Sequence, residues 1–165
     1  MIDANYWIKH LNLMPHPEGG YFKEIYRSSI KMNRTDLPFG YQSERRLCTS
    51  IYYLLESGQF SRFHRIRSDE MWYYHHGSSI KIYMIDKEGN KQSCVVGPRI
   101  EKAEKPQLVV PAGTIFAARL VDKDSYGIFG CMVAPGFDYL DYELFEKDDL
   151  LQAFPRHADL IERFF

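Results

Sequence analysis

Cysteine is scarce in this chain of 165 residues: there are three, Cys48, Cys94 and Cys131, an odd number with no paired spacing. That count disfavours a disulfide framework and a thiolate zinc site. Neither sign of charge dominates, since 21 Lys and Arg face 22 Asp and Glu for a net −1. A nucleic-acid partner, which draws on clustered cations, is therefore not expected. Long hydrophobic runs are missing as well. The longest, Ile51 to Leu55, falls far short of the roughly 20 residues a membrane-crossing helix needs. No basic-then-apolar stretch follows the opening Met-Ile-Asp-Ala-Asn, so no secretory leader is visible. These absences favour a cytoplasmic protein without a membrane partner. No Gly-rich loop precedes a helix to cradle phosphate, and no Gly-x-Ser-x-Gly nucleophile elbow occurs.

Aromatic residues are plentiful: 12 Tyr, 11 Phe and 2 Trp. They favour pleated, half-buried surfaces and so lean the chain toward β structure. Ala4, Trp7, Ile8 and Leu11 recur with helical spacing behind a capping Asp3, and Pro15, Pro17, Gly19 and Gly20 then break that helix. Short strands separated by turn signals follow: 21–28, 47–55, 60–66, 70–76, 79–86, 91–96, 107–110, 115–120, 127–134 and 137–145. Residues 31–46 are polar and read as a surface loop or lid, and residues 148–165 read as helical with a restart at Pro155. Many short strands with helices only at the ends predict a single antiparallel β domain spanning residues 1–165, either a sandwich or a barrel.

The stretch from Gly58 to Gly77 carries the chemistry. It matches the first motif of the cupins (Gly, five residues, His, one residue, His, then Glu and Gly) at Gly58, His64, Glu70 and Gly77, but Ile66 stands where the second His belongs. The second cupin motif survives as Pro111-Ala-Gly113, with Phe116 in place of its His and Lys105 in place of its opening Gly. Residues two apart on a strand face the same way, so positions 64 and 66 point inward together. Such a glutamate and histidines suit a divalent metal. With Ile66 and Phe116 present, His64 and Glu70 remain as a partial ligand set, which His76, on the same strand parity as Glu70, could supplement.

Over nearly its whole length the chain resembles the cupin-like family of unknown function DUF985, also called cupin type 5. The segments that carry the likeness are Pro15–Ser28, Thr49–Leu55, Phe63–Trp72, Pro106–Gly113 and Ala134–Leu144. Tyr73 departs from it, because the family favours His there. The resemblance implies an all-β double-stranded β-helix, or jelly-roll barrel, that is often dimeric and has a pocket inside the barrel. It supplies no reaction.

The function expected on this basis is binding of a small polar or sugar-like metabolite. Metal-independent isomerase or epimerase chemistry would go with it, His64 acting as base beside Glu70 and Tyr74 as acid. A histidine against a carboxylate can titrate near neutrality, as such proton transfer requires. Glu24 and Tyr26, sharing a face of the first long strand, and Trp72, His76 and Phe116 are the expected ligand contacts. A non-catalytic binder and a metallo-cupin built on His64 and Glu70 are the alternatives. Arg62, Arg65 and Arg67 read as a salt-bridged face with Asp69 and Glu70. A homodimer is expected, because the N-terminal strand and loop have no obvious local partner.

Overall fold

The computed structural model describes residues 2–165. The chain opens with helix α1 (Ala4–Leu11), whose first turn is closed by the Asp3 carboxylate accepting the Tyr6 N–H at 2.8 Å. Thirteen strands follow: β1 (Met14–Pro15), β2 (Tyr21–Arg27), β3 (Lys31–Met32), β4 (Arg45–Arg46), β5 (Thr49–Glu56), β6 (Phe60–Arg65), β7 (Asp69–Gly77), β8 (Ile80–Ile85), β9 (Lys91–Val96), β10 (Gln107–Val110), β11 (Ile115–Leu120), β12 (Tyr126–Ala134) and β13 (Glu143–Leu144). Helices α2 (Lys147–Ala153) and α3 (Ala158–Ile161) close the chain. The strands form a six-stranded sheet in the order β1-β2-β5-β12-β7-β10 and a five-stranded sheet in the order β13-β6-β11-β8-β9, with β3-β4 as a separate pair. Every named strand pair is antiparallel. This is the jelly-roll arrangement.

The core lies between the two sheets and is built from Tyr53, Trp72, Ile82, Met84, Phe116 and Phe129 among others. Both outer faces are also covered. Trp7, Ile8 and Leu11 of α1 pack with Leu54 and Ile128 behind the six-stranded sheet. Leu150, Leu160, Ile161 and Phe164 cover Phe63, Ile85, Ile115 and Ala117 behind the five-stranded one. Strand β11 shows the consequence in sequence. It reads Ile-Phe-Ala-Ala without alternation because successive residues serve opposite cores, as a strand buried on both faces must.

Residues 137–145, expected as one strand, instead form a 3-10 turn at Tyr139–Asp141 and the two-residue β13. The Asp138 carboxylate accepts the Leu140 N–H at 2.9 Å and so competes with strand pairing. The polar 31–46 segment holds β3, β4 and a 3-10 turn. Arg45 anchors it, forming a buried bidentate ion pair with Asp141 at 2.6 and 2.8 Å. Among the described residues, no helix is long and apolar enough to cross a membrane.

Candidate functional site

A cavity of about 300 Å³ opens at one end of the barrel. The antiparallel register of the six-stranded sheet builds its wall in rows. Glu24, Ile51, Cys131 and Trp72 lie side by side across β2, β5, β12 and β7. Arg27, Thr49, Val133 and Glu70 form the neighbouring row. All eight side chains line the cavity. His64 and Ile66 close it from the facing sheet, and Phe137, Asp138 and Tyr139 stand at its mouth.

The remaining wall comes from the loop before β2. Gly19 and Gly20 hold φ values of +117° and +74°, which residues with side chains rarely adopt. A Cβ on Gly20 would lie 2.4 Å from the Leu54 carbonyl oxygen, so the loop passes against β5 only because no side chain is there. The Tyr53 hydroxyl donates to the Gly19 carbonyl at 2.8 Å, and the Arg62 N–H donates to the Glu18 carbonyl at 3.0 Å. Tied down on both sides, the loop inserts His16 and Glu18 into the cavity.

Glu18 is the hub of the polar groups. Its Oε2 accepts the Ser61 hydroxyl at 2.8 Å, and its Oε1 lies 3.3 Å from His64 Nε2. The other nitrogen of His64 is committed: Nδ1 lies 2.7 Å from the Arg62 carbonyl, which can only accept, so the proton sits on Nδ1. Nε2 then offers a lone pair toward Glu18. His16 Nδ1 accepts the Glu18 N–H at 3.2 Å. Burial sets the charges. It pushes the Glu18 carboxyl above the usual range and depresses His16, while His64, packed 4.1 Å from the Phe116 ring, falls to about 4. Burial and the neighbouring Glu18 carboxyl together raise Glu70 to about 8. Among the described residues, the Cys131 thiol hydrogen-bonds the Glu70 carboxyl and no arginine neutralises it. At neutral pH Glu70 is therefore largely protonated and His64 neutral.

Of the residues singled out in the sequence, His64, Glu70, Trp72 and Glu24 line the cavity, whereas Tyr26, Tyr74, His76 and Phe116 do not. Two β-bulges explain the first and third. The β2–β5 register slips between Glu24 and Tyr26, which turns Tyr26 out to solvent and gives its inward place to Arg27. The β7–β12 register slips between Tyr74 and His76. His76 consequently lies behind the sheet near α1, 3.0 Å from the Tyr126 hydroxyl. Tyr74 keeps its inward parity but packs against the core, and its hydroxyl donates to the Gly77 carbonyl at 2.8 Å. Phe116 is fully buried beneath His64. Arg62, Arg65 and Arg67 do form ion pairs, but with Glu146, Glu143 and Asp141 rather than with Asp69 or Glu70.

His16, Glu18 and Arg27 are the residues that sequence reasoning missed. The signal for the first two lay in Pro15-His-Pro-Glu-Gly-Gly, an imidazole and a carboxyl pinned by prolines and glycines, which reads as a helix breaker. A cupin metal site does not fit these side chains. Apolar Ile66 and Phe116 occupy two of its four positions, and among the described residues no three His, Cys, Asp or Glu side chains are grouped to hold a metal ion.

The family described as Cupin superfamily (DUF985) matches residues 5–145. An uncharacterized protein of Saccharomyces cerevisiae, YML079W, is 29% identical over 155 residues, covering 88% of this chain and 76% of that protein. Among solved structures, protein SO0799 from Shewanella oneidensis superimposes with a TM-score of 0.87 at 40% identity, covering 99% of this chain and 98% of its own. A hypothetical protein from Leishmania major gives 0.88 at 35% identity over the same shares. An oxalate decarboxylase variant from Bacillus subtilis gives 0.56 at 16% identity; this chain covers 37% of its length, and the likeness is one of fold.

Proposed function

This chain belongs to the DUF985 family of the cupin superfamily, and we propose that its barrel cavity binds a small organic molecule and exchanges a proton with it through Glu70. The observation that carries this reading is a carboxyl brought to about 8 in a cavity whose walls join aromatic side chains to a few polar groups. A group within about a unit of neutrality populates both its forms, which is what a proton donor and acceptor needs. His64, held at about 4 with Nδ1–H committed to a carbonyl, is too weak a base to share that task. Its Nε2 faces the Glu18 carboxyl at 3.3 Å. Tyr74, with its hydroxyl committed to Gly77, gives up the acid role expected of it.

The chemistry that fits is isomerisation next to a carbonyl. Glu70 as carboxylate takes a proton from the carbon beside the carbonyl, the electron pair moves onto oxygen, and the same carboxyl returns a proton to carbon. No atom is gained or lost overall, so no co-reactant is required.

Incubation in deuterated water with a panel of neutral and amino-bearing ketoses, read by NMR, tests this. Deuterium should enter a C–H position, the rate should fall about 100-fold or more in Glu70→Gln, and Tyr74→Phe should exchange normally. Exchange that survives Glu70→Gln, or that is absent across the panel, overturns the reading.

A further inference from the structure

The reading above leaves the ligand's chemical class open, and the side chains around the cavity constrain it. Four carboxyls line it: Glu18, Glu24, Glu70 and Asp138. Arg27 is the one arginine or lysine among the lining residues, and Glu24 holds it bidentately at 2.9 and 2.6 Å. An anionic ligand would find no free cation there. Phe22, Tyr53, Trp72, Phe137 and Tyr139 are among the lining residues, and aromatic rings attract cations. Glu70 is 8% exposed and borders the cavity, and among the described residues no cation pairs with it. A carboxyl left so is costly to ionise until a positive group arrives. Ile66, buried on the facing wall, and the lack of a three-donor group among the described residues favour an organic cation over a bare metal ion.

We propose that the cavity takes a small organic ammonium, its charge shared by Glu18 and Glu70 and its carbon skeleton lodged against the aromatic walls. This assignment rests on the small-molecule reading above and narrows it. Because Glu70 is protonated near neutrality, entry of the ammonium expels a proton, and binding tightens as pH rises toward 8.

Calorimetric titration of the full chain with two matched sets of probes tests the assignment: butylammonium, butanol and butyrate, and benzylammonium, benzyl alcohol and benzoate. At pH 8 the ammonium of at least one set should bind about tenfold or more tighter than its alcohol. Its affinity should fall toward pH 6, and its heat should vary with the ionisation enthalpy of the buffer in the way that marks proton release. Glu70→Gln, checked for folding by its melting curve, should remove the ammonium's advantage over its alcohol and the pH dependence of that advantage. An alcohol or carboxylate that binds as tightly as its ammonium overturns the cation assignment and leaves the small-molecule reading standing. Displacement of the ammonium by micromolar Mn²⁺ or Zn²⁺ also overturns it, in favour of a metal. Binding of none of the six probes overturns both readings.

Discussion

Replacing Glu70 by Gln should reshape how stability depends on pH. In the folded protein Glu70 is raised to about 8 from an ordinary 4.5, so between those values the native state holds a proton that the unfolded chain has released. Stability then falls as pH rises through this window, by about 1.4 kcal/mol per unit and about 5 kcal/mol in total. His64 acts in the opposite sense. It is lowered to about 4 from 6.5, so the unfolded chain binds the extra proton, and stability is lost as pH falls from 6.5 toward 4, by about 3 kcal/mol. The two slopes cancel between about 4.5 and 6.5, giving a plateau. Above 6.5 the Glu70 slope is no longer offset by His64, and this carboxyl should cost the wild-type protein about 2 kcal/mol by pH 8. For a domain of this size that is a drop in Tm of about 4–8 °C. Gln has the shape of the protonated carboxyl and cannot ionise. Glu70→Gln should therefore match the wild type near pH 5, stay more nearly level from 6.5 to 8, and exceed the wild type by several kcal/mol at pH 8. Melting curves and urea titrations at half-unit intervals measure both proteins. Parallel pH profiles for the two would refute the claim that Glu70 is buried as a neutral acid.

Three further outcomes are expected. Arg45→Ala leaves the Asp141 carboxylate, 4% exposed, without its bidentate partner, and should cost about 3–5 kcal/mol in urea unfolding. Gly20→Ala places a Cβ 2.4 Å from a backbone oxygen at a φ of +74°, so it should destabilise by about 2 kcal/mol or more and weaken ligand binding by displacing Glu18; an unchanged melting temperature would contradict the close approach. In solution the chain should be a homodimer. Beyond the two residues paired with β1, the outer edge of β2 from Lys23 to Arg27 has no neighbouring strand and exposes Ile25 and Tyr26, so light scattering at micromolar concentration should give twice the chain mass.

The architecture was legible because its signals are local. Apolar spacing and Asp3 set the first helix, and turn residues at short intervals set the strands. Covering both faces of β11 erased its alternation without disguising it as anything but a strand. The spacing from Gly58 to Gly77 also placed His64, Glu70 and Trp72 correctly on the cavity side, because the segments between them are regular strand or turn and residue parity holds there.

Parity failed where one extra residue entered a strand. Tyr26 and His76 sit just past bulges, and a bulge is set by how the neighbouring strand hydrogen-bonds, which the strand's own sequence does not encode. The loop that delivers His16 and Glu18 depends on the backbone approach of Gly19 and Gly20 to strands far along the chain. The protonation states are the least local property of all. The sequence determined that His64 and Glu70 would face the interior of a jelly-roll barrel, while the carboxyl that meets His64 is Glu18. Only the tertiary structure decided that burial leaves the histidine neutral and the glutamate protonated, because desolvation depends on every wall of the cavity at once.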